Sequence, residues 1–269
     1  MAWRRADRPV LVPRQSSWFT CGVSSYRPST YGDRIADVYD DLYLDQMDPS
    51  AAVELLAELA DGGRALELGI GTGRVALPLA ARGVDVSGID VSEEMVGKLR
   101  TKPGGDGIPV TMGDFADVDV EGKFALIYVP FTTFFALPSQ AEQIRCLGNV
   151  SNHLEDHGVF VMEAFVPDLG RFRNNQATSV MKVDTDSVML DVSRHDPVSQ
   201  TITASHVVLW EGGVRLYPVV LRYAWPAELD AMALVAGLQL TERFGDYDRR
   251  SFDSASARHV SVYRKTDGA

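Results

Sequence analysis

Short apolar runs alternate with helical patterns in the middle of the chain, between residues 63 and 176. The runs predict buried strands and lie at residues 65–68, 84–90, 110–115, 123–131 and 154–163. Helix starts separate them, since Ser92 precedes two glutamates and Ser139 begins a capping box with Glu142. This alternation predicts a parallel sheet with helices on both faces, which binds its ligand at the carboxyl ends of the strands.

The pattern changes after residue 176, where apolar and polar residues alternate with a period of two. Three runs show this alternation, at residues 180–192, 201–210 and 214–223, with turn sequences between them. We predict that residues 177–224 form an inserted antiparallel sheet of three strands. One face of this sheet is apolar, so another surface is expected to cover it.

The two ends of the chain have patterns of their own. Residues 1–30 carry five arginines against one aspartate, together with several prolines, and we predict a poorly ordered N-terminal arm. Residues 31–62 show an apolar stripe at helical spacing followed by a second helix start, which predicts N-terminal helices. Residues 225–269 predict a helix and a final pair of strands, 238–244 and 259–264.

Composition and charge exclude several classes of protein. The 269 residues carry a net charge of −11, and because phosphate binding needs basic patches, we expect no nucleic-acid partner. No apolar run is long enough to span a membrane or to form the core of a signal peptide, so we expect a cytoplasmic protein that does not bind membranes. Cys21 and Cys146 are far apart, which predicts free thiols.

A glycine-rich turn follows the first predicted strand and carries the strongest chemical signal. Gly69, Gly71 and Gly73 alternate with other residues, and Glu67 precedes them. Glycine brings the backbone close to a ligand because it has no Cβ. A dinucleotide-binding turn needs a glycine where this chain has Arg74, and a carboxylate at residue 67 would repel a pyrophosphate.

Two aspartates follow the glycine turn in sequence order. Asp90 ends the second predicted strand, nineteen positions after Gly71, where its carboxylate could accept the hydroxyl groups of a ribose. Dinucleotide-binding proteins place an acidic residue at a similar distance, so Asp90 alone does not separate the two kinds of ligand. Asp114 follows a glycine and precedes Phe115, and its structural alternative is a turn residue.

The glycine turn, Asp90 and Asp114 together resemble the motifs of class I S-adenosylmethionine-dependent methyltransferases. This resemblance implies a Rossmann-like sheet of seven strands, the last one antiparallel, with S-adenosylmethionine as the methyl donor and S-adenosylhomocysteine as the product. It assigns the methionine end of the donor to the loop from Glu67 through its three glycines. It also assigns the ribose to Asp90, the adenine amine to Asp114 and the adenine ring to Phe115, and it places Val91 among the cofactor-binding residues.

The chain further resembles the sugar N-methyltransferases and glycopeptide methyltransferases of natural-product pathways. In such enzymes a tyrosine-rich N-terminal helix forms a lid over the cofactor. By this resemblance Tyr31 is a cofactor-binding and catalytic candidate, and Tyr39 lines the pocket, whereas we favour simple packing for Tyr43. Their inserted sheet caps the acceptor or contributes to dimer contacts, so the resemblance also implies a possible homodimer.

The acceptor side offers several candidate residues, each with a structural alternative. Glu163 stands at the carboxyl end of the fifth predicted strand and is a catalytic candidate, while Phe131 and Phe134 would form a wall of the acceptor site. Core packing is the alternative for at least one of these phenylalanines. His206 and Tyr217 of the inserted sheet are substrate-binding candidates, with a packed core histidine and a sheet-surface tyrosine as the alternatives.

We predict transfer of a methyl group from S-adenosylmethionine to an N or O atom of a small molecule in a natural-product pathway. No metal is expected, because the carboxylates of metal-dependent catechol methyltransferases are missing after Tyr128. Sugar N-methyltransferases carry a histidine soon after the fourth strand, where this chain has residues 132–135, and this difference puts an amino-sugar substrate in doubt. A protein that binds the cofactor without catalysis and a nicotinamide-dependent oxidoreductase remain alternatives.

Overall fold

A computed structural model describes residues 26–43, 48–117 and 119–266. Residues 1–25 of the predicted arm, including Cys21, lie outside the described residues. The helices are α1 (Thr30–Ile35), α2 (Tyr39–Tyr43), α3 (Ser50–Ala60), α4 (Ala76–Ala81), α5 (Glu93–Arg100), α6 (Gln140–His153) and α7 (Pro226–Val235). The strands are β1 (Arg64–Leu68), β2 (Asp85–Asp90), β3 (Val110–Met112), β4 (Phe124–Val129), β5 (Leu154–Phe165), β6 (Gln176–Val183), β7 (Ser187–Asp196), β8 (Thr201–Trp210), β9 (Gly213–Arg222), β10 (Leu238–Phe244) and β11 (Arg258–Lys265). Within these ranges no helix is both long and apolar enough to cross a membrane.

A central sheet of seven strands has the order β10-β11-β5-β4-β1-β2-β3. Strand β1 pairs in parallel with β2 and β4, whereas β11 is antiparallel to both β5 and β10. The predicted seven-stranded sheet with an antiparallel last strand is therefore confirmed. The carboxyl ends of β1, β2 and β4 lie side by side, and this edge carries the glycine turn and Asp90.

Both faces of the central sheet are buried. Leu66, Leu68 and Ile127 pack on one face with side chains of α6 and α7. Leu126 and Tyr128 pack on the other face with side chains of α3 and α4. Each fully buried Leu or Ile side chain contributes about 1.5–3 kcal/mol. Burial on both faces explains why these strands appear in the sequence as continuous apolar runs without alternation.

The helix starts predicted at Ser92 and Ser139 are present. The Ser92 hydroxyl oxygen accepts the N–H of Met95 at 3.3 Å, and that of Ser139 accepts the N–H of Glu142 at 3.2 Å. Each serine therefore satisfies one of the N–H groups that the first helical turn leaves unpaired. The apolar stripe of the predicted lid forms two short helices, α1 and α2, because a turn interrupts it at residues 36–38.

The inserted sheet has four strands in the order β6-β7-β8-β9, so the prediction of three strands is wrong. The run predicted at residues 180–192 contains the end of β6, a turn and most of β7. The turn forms where Asp184 and Asp186 interrupt the apolar pattern, and the Asp184 N–H donates to the carbonyl of Ser187 at 2.9 Å. Acidic residues favour turns because they are poorly accommodated in strands.

A buried arginine joins the inserted sheet to the core helices. Arg222, at the end of β9, donates to Gln143 of α6 at 2.7 Å and to Glu228 of α7 at 2.5 Å. The Gln143 amide donates in turn to the Arg222 carbonyl at 2.8 Å. This pairing offsets the cost of burying the charge, and it fixes the position of β9 relative to the central domain. The contacts of Arg222 with α6 and α7 therefore set the orientation of the inserted sheet.

The inserted sheet exposes an apolar face on the side away from α1. Cross-strand partners form two rows on this face: Val183, Val188, Leu209 and Val214 in the first, and Val180, Leu190, Val207 and Leu216 in the second. Val214 is 59% exposed and Leu216 is 52% exposed. A contiguous exposed apolar face of this kind is typical of a protein interaction surface.

Candidate active site

The glycine turn between β1 and α4 has a backbone that favours glycine at each alternate position. The φ angles are 74° at Gly69, 55° at Gly71 and 76° at Gly73. A Cβ atom on Gly69 would lie 2.6 Å from the Thr133 Cγ2 atom, and both residues line a cavity. Close packing of Thr133 therefore requires glycine at this position, and the loop presents its backbone to the cavity there.

Asp90 joins the glycine turn to the start of α5. One carboxylate oxygen accepts the N–H of Gly71 at 2.7 Å, and the other accepts the N–H of Ser92 at 2.8 Å. Burial raises the pKa of the Asp90 carboxyl, and these backbone N–H groups oppose that shift. The carboxylate is thus held rigidly at the carboxyl end of β2, where a hydroxyl-rich ligand could bind.

A cavity of about 320 Å³ opens at this edge of the sheet. Its walls come from the glycine turn, the starts of α1 and α5, the segment after β4, and the inner face of the inserted sheet. A loop without side chains, a fixed carboxylate and an aromatic ring suit a nucleoside with a polar tail, so the described residues fit S-adenosylmethionine. No cluster of three or more His, Cys, Asp or Glu that could hold a metal occurs among the described residues.

Eight of the predicted site residues line this cavity. On the cofactor side they are Gly69, Asp90, Val91 and Phe115, together with Tyr31 and Tyr39 of the lid. On the acceptor side they are Phe131 and His206. The structure therefore brings together residues that are up to 175 positions apart in the chain.

Four residues predicted to bind the cofactor do not line this cavity. Gly71 donates its N–H to Asp90, and at Gly73 a Cβ would lie 2.4 Å from the Leu99 side chain, so close packing requires glycine there. Asp114 accepts the N–H of Ala116 at 2.8 Å, as the turn alternative predicts. Glu67 is buried beneath the loop.

Three residues predicted on the acceptor side also do not line the cavity. Phe134 is fully buried in the core, as the core-packing alternative predicts. Tyr217 packs beneath α1 against Ile35, so its ring supports the lid. Glu163 lies behind Phe131 and accepts that residue's N–H at 2.8 Å.

The segment after β4 has an unusual backbone that Glu163 stabilises. Phe131 and Thr132 have φ angles of 53° and 66°, in the left-handed region that residues with a Cβ rarely adopt. Such residues cost about 1–3 kcal/mol each and cluster at functional sites. The buried Glu163 carboxylate accepts the Phe131 N–H and lies 3.3 Å from Arg258, so it holds the turn that places the Phe131 ring.

Arg74 and Tyr43 also line the cavity, and the sequence prediction did not assign either of them a role there. The Arg74 guanidinium lies 3.7 Å from the centre of the Phe131 ring and donates to the Tyr39 hydroxyl at 3.3 Å. Tyr43 follows Tyr39 by four positions, which places both on the same helical face, and this spacing could have indicated its role.

Polar groups of the lid and the inserted sheet meet at the acceptor side of the cavity. The hydroxyl groups of Tyr31 and Tyr43 are 3.1 Å apart, and the Tyr43 hydroxyl is 3.4 Å from Nδ1 of His206. Nε2 of His206 lies 3.7 Å from the Asp191 carboxylate, and the two residues are direct cross-strand partners. His206 therefore faces the cavity with a carboxylate behind it.

Charged and polar contacts fasten the lid to the glycine turn and α5. The Ser92 hydroxyl donates to Asp33 at 2.7 Å, and the Thr72 hydroxyl donates to Asp40 at 2.7 Å. Lys102 pairs with Asp40 at 2.7 Å, and the more exposed Lys98 pairs with Asp37 at the same distance. These contacts position Tyr31 and Tyr39 over the loop.

Glu67 has a strongly shifted pKa. Burial raises the pKa of its carboxyl from the ordinary value of 4.5 to about 8, against the opposing hydrogen bond that it accepts from the Tyr128 hydroxyl at 2.9 Å. The folded protein therefore keeps a proton on Glu67 at pH values where the unfolded chain has lost it. Between pH 4.5 and 8 this difference makes the free energy of unfolding fall as the pH rises.

We expect the Glu67→Gln variant to weaken this pH dependence, because glutamine keeps the shape and cannot ionise. The decrease in the free energy of unfolding between pH 5 and pH 8 should be smaller by a few kcal/mol, on the order of 1.4 kcal/mol per unit of pKa shift. Urea denaturation at a series of pH values measures it. Glu58→Gln, an exposed residue paired with Arg249, is the control and should keep the wild-type pH dependence. An identical slope in the Glu67→Gln variant and the wild type would contradict the shifted pKa.

Comparisons with known proteins agree with this site. The profile of a family described as a methyltransferase domain matches residues 65–158, which include the glycine turn, Asp90 and Asp114. The solved structure of the methyltransferase CcbJ from Streptomyces caelestis is 44% identical, with a TM-score of 0.85, and the match covers 90% of this chain and 100% of that one. The cypemycin N-terminal methyltransferase of a Streptomyces species is 26% identical over 88% of this chain and 98% of its own.

More distant structures share the fold. An amino pentose methyltransferase from Micromonospora echinaspora, solved with S-adenosylmethionine bound, is 23% identical, with a TM-score of 0.64 over 85% of this chain and 97% of that one. The sequence motifs, the sheet topology and the match to CcbJ over nearly the whole chain agree on one family. The chain belongs to the class I S-adenosylmethionine-dependent methyltransferases.

Proposed function

We propose that this methyltransferase modifies an amine nitrogen of a small molecule made by a natural-product pathway in the cytoplasm. The sequence alone left nitrogen and oxygen open as acceptor atoms. The names of its relatives favour nitrogen, because they include the cypemycin N-terminal methyltransferase, an amino pentose methyltransferase and a glycopeptide N-methyltransferase. The observation that carries methyl transfer to a small molecule is the cavity, in which the donor-binding loop lies next to a space with aromatic walls.

On the donor side, the cavity residues have separate roles in this proposal. Asp90 accepts hydrogen bonds from the ribose hydroxyl groups, Val91 and Phe115 lie against the nucleoside, and the loop at Gly69 takes the methionine end. Asp114 does not line the cavity itself, but it directly precedes Phe115 and is only half-buried, so we assign the adenine amine to its carboxylate. The support is the fixed Asp90 carboxylate and the position of Gly69 in the wall of the cavity.

On the acceptor side, Tyr31, Tyr39, Tyr43 and Phe131 surround the space in which the acceptor binds. S-adenosylmethionine supplies a methyl group that its sulfonium already activates, so the protein mainly has to align the acceptor nitrogen and exclude water. Alignment of two reactants can lower a barrier by about 7–11 kcal/mol at best. Rigid aromatic walls suit this task, and they favour an acceptor that contains a ring or another apolar part.

The Asp90→Ala variant should bind S-adenosylhomocysteine about 1–3 kcal/mol more weakly, because it loses charged hydrogen bonds to the ribose. Isothermal titration calorimetry measures the affinity. Asp85→Ala removes an exposed carboxylate from the other end of β2 and should bind like the wild type. Equal affinity of the Asp90→Ala variant and the wild type would contradict the assignment of the ribose to Asp90.

The acceptor class can be tested with matched pairs of small probes and with a cell extract. Benzylamine with benzyl alcohol, and an amino sugar with the corresponding sugar alcohol, are incubated with the enzyme and radiolabelled S-adenosylmethionine. We expect label on the amines and none on the alcohols. We also expect an N-methylated product in an extract of the native host, identified by mass spectrometry. Label on the alcohols alone would contradict the amine acceptor.

We also propose that two copies of the chain associate through the exposed apolar face of the inserted sheet. Its two rows of aliphatic residues support this proposal, because a second copy would cover them. Analytical ultracentrifugation should show a wild-type dimer and a monomeric Val214→Glu variant. Val235→Glu alters an exposed valine of α7 outside this face and should stay dimeric. A monomeric wild type at micromolar concentration would contradict the dimer.

A further inference from the structure

An amine acceptor raises the question of where its proton goes. An alkyl amine is mostly an ammonium ion in neutral water and has no lone pair until it loses a proton. The tyrosines of the cavity are poor final acceptors for that proton. Burial raises the pKa of Tyr31 well above its ordinary value and that of Tyr39 to about 12, so both stay protonated as phenols at neutral pH.

His206 is the group of the cavity wall that can take up a proton. Burial lowers the pKa of its imidazole, although Asp191 opposes the shift, so a neutral ring is available at neutral pH. Its two nitrogens have different partners. Nδ1 faces the Tyr43 hydroxyl at 3.4 Å, and Nε2 faces the Asp191 carboxylate at 3.7 Å. With the proton on Nε2, the Nδ1 lone pair points toward Tyr43 and can accept.

The other groups around His206 are compatible with this role. Tyr31 of α1 contacts the His206 ring edge-on, and Tyr217 is the cross-strand partner of His206 on β9. Arg171 lies 3.7 Å from the Asp191 carboxylate, and its side chain is 44% exposed. Arg171 stays charged and pairs with the Asp191 carboxylate, while the partly exposed Asp191 can pass the proton from Nε2 to water.

We propose that Asp191, His206 and Tyr43 form a proton relay that begins at Tyr31 and removes a proton from the acceptor amine. This inference rests on the proposed amine acceptor. Tyr31 is the group that touches the acceptor, Tyr43 passes the proton on, His206 holds it, and Asp191 orients the imidazole and stabilises its charged form. The contacts of 3.1 and 3.4 Å between the hydroxyl groups and Nδ1 form a continuous path.

The proton and electron balance of the step is complete. The acceptor ammonium gives a proton to the Tyr31 oxygen, the Tyr31 proton moves to the Tyr43 oxygen, and the Tyr43 proton moves to Nδ1 of His206. The freed nitrogen lone pair then forms the bond to the methyl carbon, and the electrons of the broken carbon–sulfur bond stay on sulfur. The product is a methylated ammonium ion, and one proton leaves through His206.

The relay can be tested with two acceptors that differ in their need for a base. Benzylamine is an ammonium ion at neutral pH, whereas aniline is already a free amine. In the His206→Gln and Asp191→Asn variants we expect methyl transfer to benzylamine to fall by about 100-fold. Transfer to aniline should stay close to the wild-type rate. A purely structural role for these residues would lower both rates together.

Two control variants match these substitutions. Asp184→Asn alters an exposed carboxylate of the same sheet, which pairs with Lys182, and His157→Gln alters an exposed histidine at the far end of β5. Both should methylate benzylamine and aniline at wild-type rates. An unchanged ratio of the benzylamine and aniline rates in the His206→Gln variant would overturn the relay while leaving the proposed function intact. Wild-type enzyme that methylates neither amine, but does methylate benzyl alcohol, would overturn the proposed function itself.

A second measurement does not depend on turnover. Nuclear magnetic resonance of protein labelled with [15N]histidine, in the complex with S-adenosylhomocysteine at neutral pH, reports the protonation of His206. The relay needs a neutral ring with its proton on Nε2, so the Nδ1 resonance should have the position of an unprotonated imidazole nitrogen. A ring that carries its proton on Nδ1, or on both nitrogens, would overturn the relay, because Nδ1 could then not accept the proton from Tyr43.

Discussion

The carboxylate of Asp90 is the constraint on which the rest of the site depends. It accepts one N–H from the glycine turn and another from the start of α5, so it ties two parallel strands and two helices together at one point. The hydroxyl of Ser92, which begins α5, then donates to Asp33 of the lid. The positions of the lid tyrosines therefore depend on contacts that begin with Asp90 at the carboxyl end of β2. The contacts of Asp90 at the donor side therefore also help to position the tyrosines that surround the acceptor side of the cavity.

The two faces of the inserted sheet have different roles, because successive side chains of each strand point to opposite faces. One face carries Asp191, His206 and Val219 toward the cavity, and the other carries rows of aliphatic residues toward the outside. A shift of one residue in the register would exchange the two faces. The Arg222 network that holds β9 on the core helices prevents such a shift, because a buried arginine has to keep its partners.

Much of the fold could be predicted from sequence, because burial of both sheet faces and helix capping are local properties. The parallel strands, the helix starts at Ser92 and Ser139, and the position of Asp90 at a strand end follow from such patterns. The number of seven strands, with the last one antiparallel, came from the resemblance to a known family. The sequence did not predict the fourth strand of the inserted sheet, because apolar and polar residues keep alternating across the turn between β6 and β7. Tyr217 and Phe134 could not be placed either, since only tertiary packing decides whether an aromatic ring faces a cavity or a core. The role of Tyr43 depended in the same way on His206, 163 positions away.

The backbone at Phe131 and Thr132 couples acceptor selection to conformational stability. Both residues occupy left-handed geometry at the wall of the acceptor chamber, and the Phe131 ring covers Arg74. Glycine or asparagine would relax this turn and raise stability, but would remove the ring. We therefore expect natural substitutions at this turn that raise thermal stability to lower the selectivity for the acceptor. In an enzyme engineered for new acceptors, replacing Phe131 by glycine or asparagine would widen the acceptor site and raise stability. The added stability would let the enzyme tolerate further substitutions.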